Sequence, residues 1–273
     1  MQGKWRTNFH DARSRSNAPF DKLKLRRVRR ARSSSEPIGI SVPIATYGRD
    51  DLLIERTLPN LLNQTFQNFE LLVVHDGPSK NLRDRILGMR DSRISYYEVA
   101  RPRYPRDPVQ RWMVAGYRAR NLGLLRATKP WVYWISDDDV VLSNAFEVLC
   151  QEISTDRSIE LLYGDYLAWV GGRYIRKTEG ETNVAFPITG IPALAIRRDL
   201  SFIGWSGWSY RKSWNRPSDL DMLVRLHAAG VRMRYLPRIL AASPPVGNTG
   251  LTGSAAHLTM ARYQAQRREC NEF

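Results

Sequence analysis

The chain has 273 residues, a formal net charge of +15, and hydrophobic and aromatic fractions of 42% and 10%; this excludes disorder of the whole chain and leaves room for one large domain with appendages. No run approaches the roughly 18 consecutive apolar residues of a membrane-spanning helix, and the N-terminal stretch lacks the apolar core of a secretory signal. Cys150 and Cys270 match neither a disulfide framework nor a zinc spacing, so a cytoplasmic protein with unpaired thiols is expected.

Charge is concentrated at the start. Residues 1–36 hold eleven Lys or Arg, from Lys4 to Arg32, against Asp11, Asp21 and Glu36. Residues 1–37 therefore read as a basic, flexible arm, either solvated or engaging an anionic partner, which would place the protein peripherally at an anionic surface. Leu23, Leu25 and Val28 allow a short amphipathic helix within it.

After Ser33, Ser34, Ser35 and Pro37 the pattern changes. Ile38 to Ala45 reads as a buried strand, Asp50 or Asp51 as the cap of a helix running to Gln64, and Phe69 to Val74 as a second strand. This βαβ unit opens its ligand crevice at the strands' C-terminal ends. A helix over Asn81 to Met89 and a strand over Ile94 to Val99 follow, then a Pro- and Arg-rich loop from Arg101 to Pro108. Trp112 to Arg126 reads as one helix, Trp131 to Ile135 as a buried strand and Asn144 to Ile153 as a helix. Strands near Leu161 to Val170 and Arg173 to Arg176, a loop around Pro187 to Pro192, a helix from Asp219 to Ala229 stopped by Gly230, and a strand over Arg232 to Leu236 complete the pattern. The alternation predicts an α/β fold with a mixed, mostly parallel sheet flanked by helices. Its catalytic domain spans 38–240, divided into a nucleotide-sugar half at 38–140 and an acceptor half at 141–240. Residues 241–273 read as a loop and a closing helix.

Two acidic strand ends carry the chemistry. Asp137, Asp138 and Asp139 directly follow the strand at Trp131 to Ile135, and an Asp-x-Asp there suits a hard divalent cation shared with substrate phosphates. A helix N-cap cluster is the competing reading. His75, Asp76 and Gly77 end the second strand; Asp76 can accept from a base N–H or a ribose hydroxyl, and a plain turn competes with that role. Trp205, Trp208, Tyr210 and Trp214 crowd the segment before Asp219, where aromatic faces suit a sugar acceptor and core packing is the alternative.

These residues resemble a known family, the inverting glycosyltransferases of family 2 with the Rossmann-like GT-A fold. ISVPIATYGRDDLLIERTLPNLLNQTFQNFELLVVHDG, at 40–77, is similar to that family's opening strand, helix and strand. ARNLGLLRATKPWVYWISDDD, at 119–139, is similar to the helix and strand that lead into its metal motif. PSDLDMLVRLHAAG, at 217–230, resembles its catalytic segment, with Ser218 where many members have Glu.

The resemblance implies a sugar moved from a nucleoside-diphosphate donor, a UDP-sugar, to a hydroxyl acceptor with help from Mn²⁺ or Mg²⁺. It implies Ala45 and Tyr47 beside the base, Asp76 on the base edge, Arg49 at the diphosphate, Arg120 reaching the donor and Asp138 on ribose or sugar. Asp137 and Asp139 become the metal pair, and His257 a candidate third ligand. Asp219 is the expected general base, with Asp221 as the other candidate, and Trp205 and Trp208 form the acceptor surface. The acceptor is left open between a glycan, a lipid-linked intermediate, a protein, a small molecule and modified nucleic acid.

Two other readings compete. A sugar-nucleotide nucleotidyltransferase would begin with a Gly-rich phosphate loop, whereas Ala45 to Asp50 contains only Gly48. A noncatalytic nucleic-acid-binding protein is suggested by the basic arm and by Arg101, Arg103, Arg106 and Arg111.

Overall fold

The computed structural model describes residues 2–33, 36–177, 191–212 and 217–245, with side chains from residue 17 onward. Among the described residues nine strands, numbered β1 to β9 along the chain with the ranges that follow, form one sheet in the order β3-β2-β1-β4-β8-β6-β9-β5, with β7 added on β6. Strands β1 (Ile40–Thr46), β2 (Phe69–Asp76), β3 (Ile94–Val99) and β4 (Trp131–Ser136) pair in parallel. β1, β2 and β4 are almost wholly buried apolar runs, as expected of central parallel strands covered on both faces.

The second half makes the sheet mixed. β8 (Leu194–Arg197) lies antiparallel between β4 and β6 (Leu161–Val170), and β7 (Arg173–Lys177) forms a hairpin with β6. β9 (Met233–Ser243) runs parallel to β6 and antiparallel to β5 (Val140–Val141). β8 was not expected from the sequence, and β9 continues well past the expected end at Leu236. Pro237 cannot donate to the ladder, and the chain accommodates it by a register shift: Gly164 faces Leu236 whereas Asp165 faces Ile239. A Cβ on Gly164 would meet the Arg238 carbonyl at 2.8 Å, so the bulge requires glycine there.

Helices cover both faces. On one side α3 (Leu58–Leu62), α4 (Lys80–Gly88) and α7 (Ala145–Thr155) bury Leu58, Leu61, Leu82, Ile86, Phe146 and Leu149 against the sheet. On the other, α6 (Tyr117–Arg126) and α8 (Ser218–Ala229) bury Leu124, Met222, Leu223 and Leu226. The helix expected over Asp50 to Gln64 begins as α2 (Asp50–Leu52) and passes through a π-helical turn, Leu53–Thr57, before α3. The helix expected over Trp112 to Arg126 is two, α5 (Pro108–Val114) and α6, parted at Gly116 with φ +71°.

The segment read as a flexible arm is a helix, α1 (Gln2–Ala31), and its second half is seated on the domain. Leu25 enters the core beside α8. Arg29 and Arg32 both reach the fully buried Glu160, with Arg29 Nε at 2.8 Å from it, and Arg32 also grips Asp199 at 2.6 and 2.9 Å. The sequence pattern hid this seat because its partners lie some 130 to 170 positions away.

Candidate active site

The register of the parallel strands places the acids. Thr46 pairs with His75 across β1 and β2, and Ala45 with Ser136 across β1 and β4. Asp76 and the trio Asp137, Asp138 and Asp139 therefore leave one sheet edge two strand spacings apart, about 10 Å, with Tyr47 between them.

Arg49 bridges two acids of the trio. Its Nη1 donates to Asp137 Oδ1 at 2.9 Å and to Asp138 Oδ2 at 2.7 Å. The π-helical turn supplies the backing: Thr57 donates to the Asp137 carbonyl at 2.7 Å, and Arg56 donates to that of Asp138. Asp139 is buried; its Oδ1 accepts from Ser243 at 2.5 Å and its Oδ2 from the Ser136 amide at 3.1 Å. Burial, then repulsion from Asp138, pushes its carboxyl up to about 7. Burial likewise raises Asp137, opposed by the Arg49 charge. Ser243 lies beyond the expected domain limit of 240, at the end of β9, so that strand belongs to the site.

Asp76 is also buried and raised by desolvation, with Tyr104 opposing. Tyr104 donates to Asp76 Oδ2 at 2.5 Å while its oxygen accepts from the Gly116 amide at 2.9 Å. Asp76 Oδ1 is buried with no hydrogen-bond partner among the described residues, as is Arg120 Nε. A ligand bringing a donor to the first and an acceptor to the second would satisfy both. His75 Nδ1 donates to the Gly77 carbonyl at 2.6 Å and shapes the turn, not the ligand surface. Exposed Tyr47 carries the Arg101 guanidinium 3.3 Å from its ring centroid, closing the 101–107 loop over this end of the crevice. Ala45 lies against Gly116, where a Cβ would meet the Ala45 Cβ at 3.4 Å and Arg120 Nη1 at 3.1 Å.

Arg120 links this half to the helix bearing Asp219. Its guanidinium lies 4.8 Å from the Trp205 ring centroid and donates to the Ala115 carbonyl at 2.7 Å, and its charge acts on both Asp76 and Asp219. Asp219 sits in the first turn of α8, accepts from the Leu220 amide at 2.8 Å and keeps part of its surface open; desolvation raises its carboxyl.

Two expected roles meet a different arrangement. Asp221 is sealed in the core, with Lys212 Nζ at 2.6 Å on one oxygen and Arg225 Nε at 3.0 Å on the other, a geometry that holds α8 in place and leaves no route for an acceptor proton. Trp205 is 4% exposed and stands edge-on to Trp134 at 5.1 Å; it seats Arg120 and offers no acceptor surface. Trp208, by contrast, is 53% exposed with Arg211 stacked 4.5 Å away. His257, with Trp214 and Cys270, lies outside the described residues; Cys150 is a buried free thiol, as expected.

A divalent cation fits only as a shared ligand. The donors are hard carboxylate oxygens, yet the described residues contain no group of three His, Cys, Asp or Glu placed to hold a metal. Asp137 and Asp139 would thus need substrate oxygens and water to complete the shell, the usual habit of Mg²⁺. A separate cleft of about 470 Å³, lined by Val28, Arg32, Glu36, Pro130, Arg197 and Asp199, lies at the opposite strand ends. Its acids are already paired with its arginines, so it offers no comparable chemistry. Tyr104, Gly116, Thr57 and Ser243 carry no motif of their own and were not singled out from the sequence.

Known proteins share this architecture. *S. aureus* TarS 1–349 in complex with UDP-GlcNAc superposes with TM-score 0.60 at 15% identity, covering 82% of this chain and 66% of that one. The mannosyltransferase PcManGT from *Pyrobaculum calidifontis*, in complex with GDP-Man and Mn²⁺, gives 0.56 at 14%, covering 98% and 75%. The expected GT-A fold is the fold observed. The glycosyltransferase GlyG of *Streptococcus pneumoniae* serotype 4 is 26% identical over 159 residues, 57% of this chain and 45% of its own length. The *Escherichia coli* UDP-Glc:α-D-GlcNAc-diphosphoundecaprenol β-1,3-glucosyltransferase WfgD is 28% identical over 127 residues, 46% and 45%. The matched stretch thus spans less than half of either relative. No helix among the described residues is long and apolar enough to cross a membrane. The profile of the family described as Glycosyl transferase family 2 matches residues 41–216, carrying the first acidic strand end, the trio and Arg120, and the chain belongs to that family.

Proposed function

We propose that this chain transfers a sugar from a nucleoside-diphosphate donor, a UDP-sugar, to an acceptor hydroxyl with inversion at the sugar carbon. The observation that carries the reading is the convergence of Asp76, Arg49 with its acid trio, and Arg120 with Asp219 along one sheet edge. The names of WfgD and of the TarS complex support UDP as carrier, and the PcManGT complex supports a manganese-assisted donor site.

Asp76 Oδ1 accepts from the base, beside Tyr47 and Ala45, and Tyr104 holds the other oxygen in place. Arg49 turns from Asp137 and Asp138 toward the diphosphate, exchanging two carboxylates for phosphate oxygens of greater charge. Asp137 and Asp139 would hold Mn²⁺ or Mg²⁺, which when bound neutralises charge developing on the leaving diphosphate. Asp138 then becomes free to meet ribose or sugar.

The acceptor oxygen bonds to the sugar C1 as the C1–O bond to phosphate breaks, and the electron pair leaves on the diphosphate. Asp219 takes the acceptor proton. Burial raises its affinity for that proton, while Arg120 keeps the anion accessible before attack. Trp208, exposed beside Arg211, offers a face for the acceptor sugar. Asp219→Asn tests the assignment: donor binding persists and transfer falls by roughly 10²- to 10⁴-fold, whereas unchanged transfer assigns the proton elsewhere.

A further inference from the structure

The inner side of α1 is used up by Leu25, Val28 and Arg29, which meet the domain together with Arg32 just past its end. Its outer side is of another kind. Phe20, Leu23, Arg27 and Arg30 follow one another at spacings of three, four and three, so they share a stripe within about 80° of the helix circumference. Phe20 is 66% and Leu23 48% exposed, and Lys22, Lys24, Arg26, Arg27 and Arg30 are exposed around them. The one acid of residues 17–31, Asp21, lies off this stripe, toward Arg225 of α8.

We propose that this outer face docks on an anionic phospholipid bilayer, with Phe20 and Leu23 entering the boundary between headgroups and acyl chains and the basic side chains meeting lipid phosphates. The charge is all of one sign, which suits any polyanion. The two exposed apolar side chains within it decide between them: a bilayer gives both a place out of water, and a nucleic-acid backbone gives them none. The mounting is firm, because Arg29 and Arg32 lock the helix to Glu160 and Asp199, so the face is presented in one orientation.

The placement has a consequence for the acceptor, which rests on the glycosyltransferase reading although the surface itself does not. Asp21 feels Arg225, and Arg29 Nη2 donates to the Gly230 carbonyl at 2.8 Å, so α1 and α8 run in the same direction. The earlier turns of α1 lead toward the end of α8 that carries Asp219. A bilayer under α1 therefore lies beside the acceptor side of the site and favours an acceptor anchored in lipid.

Co-sedimentation of the full chain with vesicles tests this, using phosphatidylcholine alone and phosphatidylcholine with about a third phosphatidylglycerol. Binding is expected only with the anionic vesicles, fading at roughly 0.5 M salt. Arg26→Gln, Arg27→Gln and Arg30→Gln should weaken it by roughly fivefold per residue, and the pair Phe20→Ser and Leu23→Ser by about tenfold. Both variants should keep the parent's melting temperature and its hydrolysis of free UDP-sugar, which separates loss of this surface from loss of the transferase reading. Absence of vesicle binding overturns the proposal. So does binding to RNA or duplex DNA that exceeds vesicle binding and ignores the Phe20 and Leu23 substitutions.

Discussion

Arg49 and Asp137 form an ion pair of 2.9 Å at the mouth of the sheet edge, with the same guanidinium nitrogen reaching Asp138. A cation of the chain thus already pairs with two of the three acids. In the proposed reaction a metal ion approaching alone competes with it, whereas a diphosphate draws Arg49 away and supplies oxygens of its own. Arg49→Gln should therefore tighten Mn²⁺ binding measured without nucleotide and weaken UDP binding by roughly tenfold or more, the scale of a charge-assisted hydrogen bond. Isothermal titration with metal and UDP in either order reads both effects; metal affinity unchanged by the substitution contradicts the competition.

Tyr104 connects the 101–107 loop to Asp76, the proposed base contact, by donating to Asp76 and accepting from Gly116. Tyr104→Phe removes both bonds, leaves a second Asp76 oxygen without its donor and should cost about 1–3 kcal/mol of UDP binding. Asp76→Asn should weaken binding to a similar degree and blur the preference between uridine and guanosine diphosphates. A nucleotide panel titrated on both variants checks this.

In the proposed role of general base, Asp219 acts only when deprotonated. Its folded value is raised by desolvation above the ordinary 3.8, so transfer should fall as acidification passes through that raised value and be full above it. Arg120 favours the anion, so Arg120→Met should move this acid limb to higher pH, and Asp219→Asn should abolish it when Mn²⁺ is saturating, so that the raised carboxyl of Asp139 stays deprotonated on the metal and adds no limb of its own. Initial rates across pH for the three proteins decide the matter; an acid limb retained by Asp219→Asn rejects the assignment.

Glu160 is fully buried between Arg29, Arg32 and the Arg232 amide, and those hydrogen bonds hold its carboxyl down to about 2 against the opposing effect of burial. A depressed acid stabilises the fold fully above its ordinary value of 4.5, and that contribution disappears as pH falls through about 2. Its size is on the order of 2–3 kcal/mol. Glu160→Gln should lower the melting temperature at neutral pH, flatten acid unfolding in this window and expose α1 to protease. Unchanged protease resistance around Arg29 would show that Leu25 alone seats the helix.

The first half of the fold was legible because its strands are short and largely apolar, and because two of them, Phe69–Asp76 and Trp131–Ser136, lead into acids that no core would tolerate unpartnered. Ile40–Thr46, Phe69–Asp76 and Trp131–Ser136 fall close to where periodicity placed them. The second half was harder. β8 is only four residues long, and Pro237 signalled an end that Gly164 allows β9 to pass. Side chains were less legible still. Trp205 and Trp208, three residues apart and alike in composition, lie one in the core and one in solvent, because Asn121 bonds the Trp205 backbone at 2.7 and 2.9 Å and draws it inward. Asp219 and Asp221 part in the same way through Lys212 and Arg225. Such choices are settled by partners distant in sequence.

The most direct test of sugar transfer is the release of nucleoside diphosphate from UDP-glucose, UDP-GlcNAc and GDP-mannose, followed by mass spectrometry with Mn²⁺ and with chelator. The account predicts UDP release that needs metal, is lost in Asp139→Asn and is strongly reduced in Asp219→Asn while UDP still binds that variant. Failure of every nucleotide to bind, with or without metal, would contradict it.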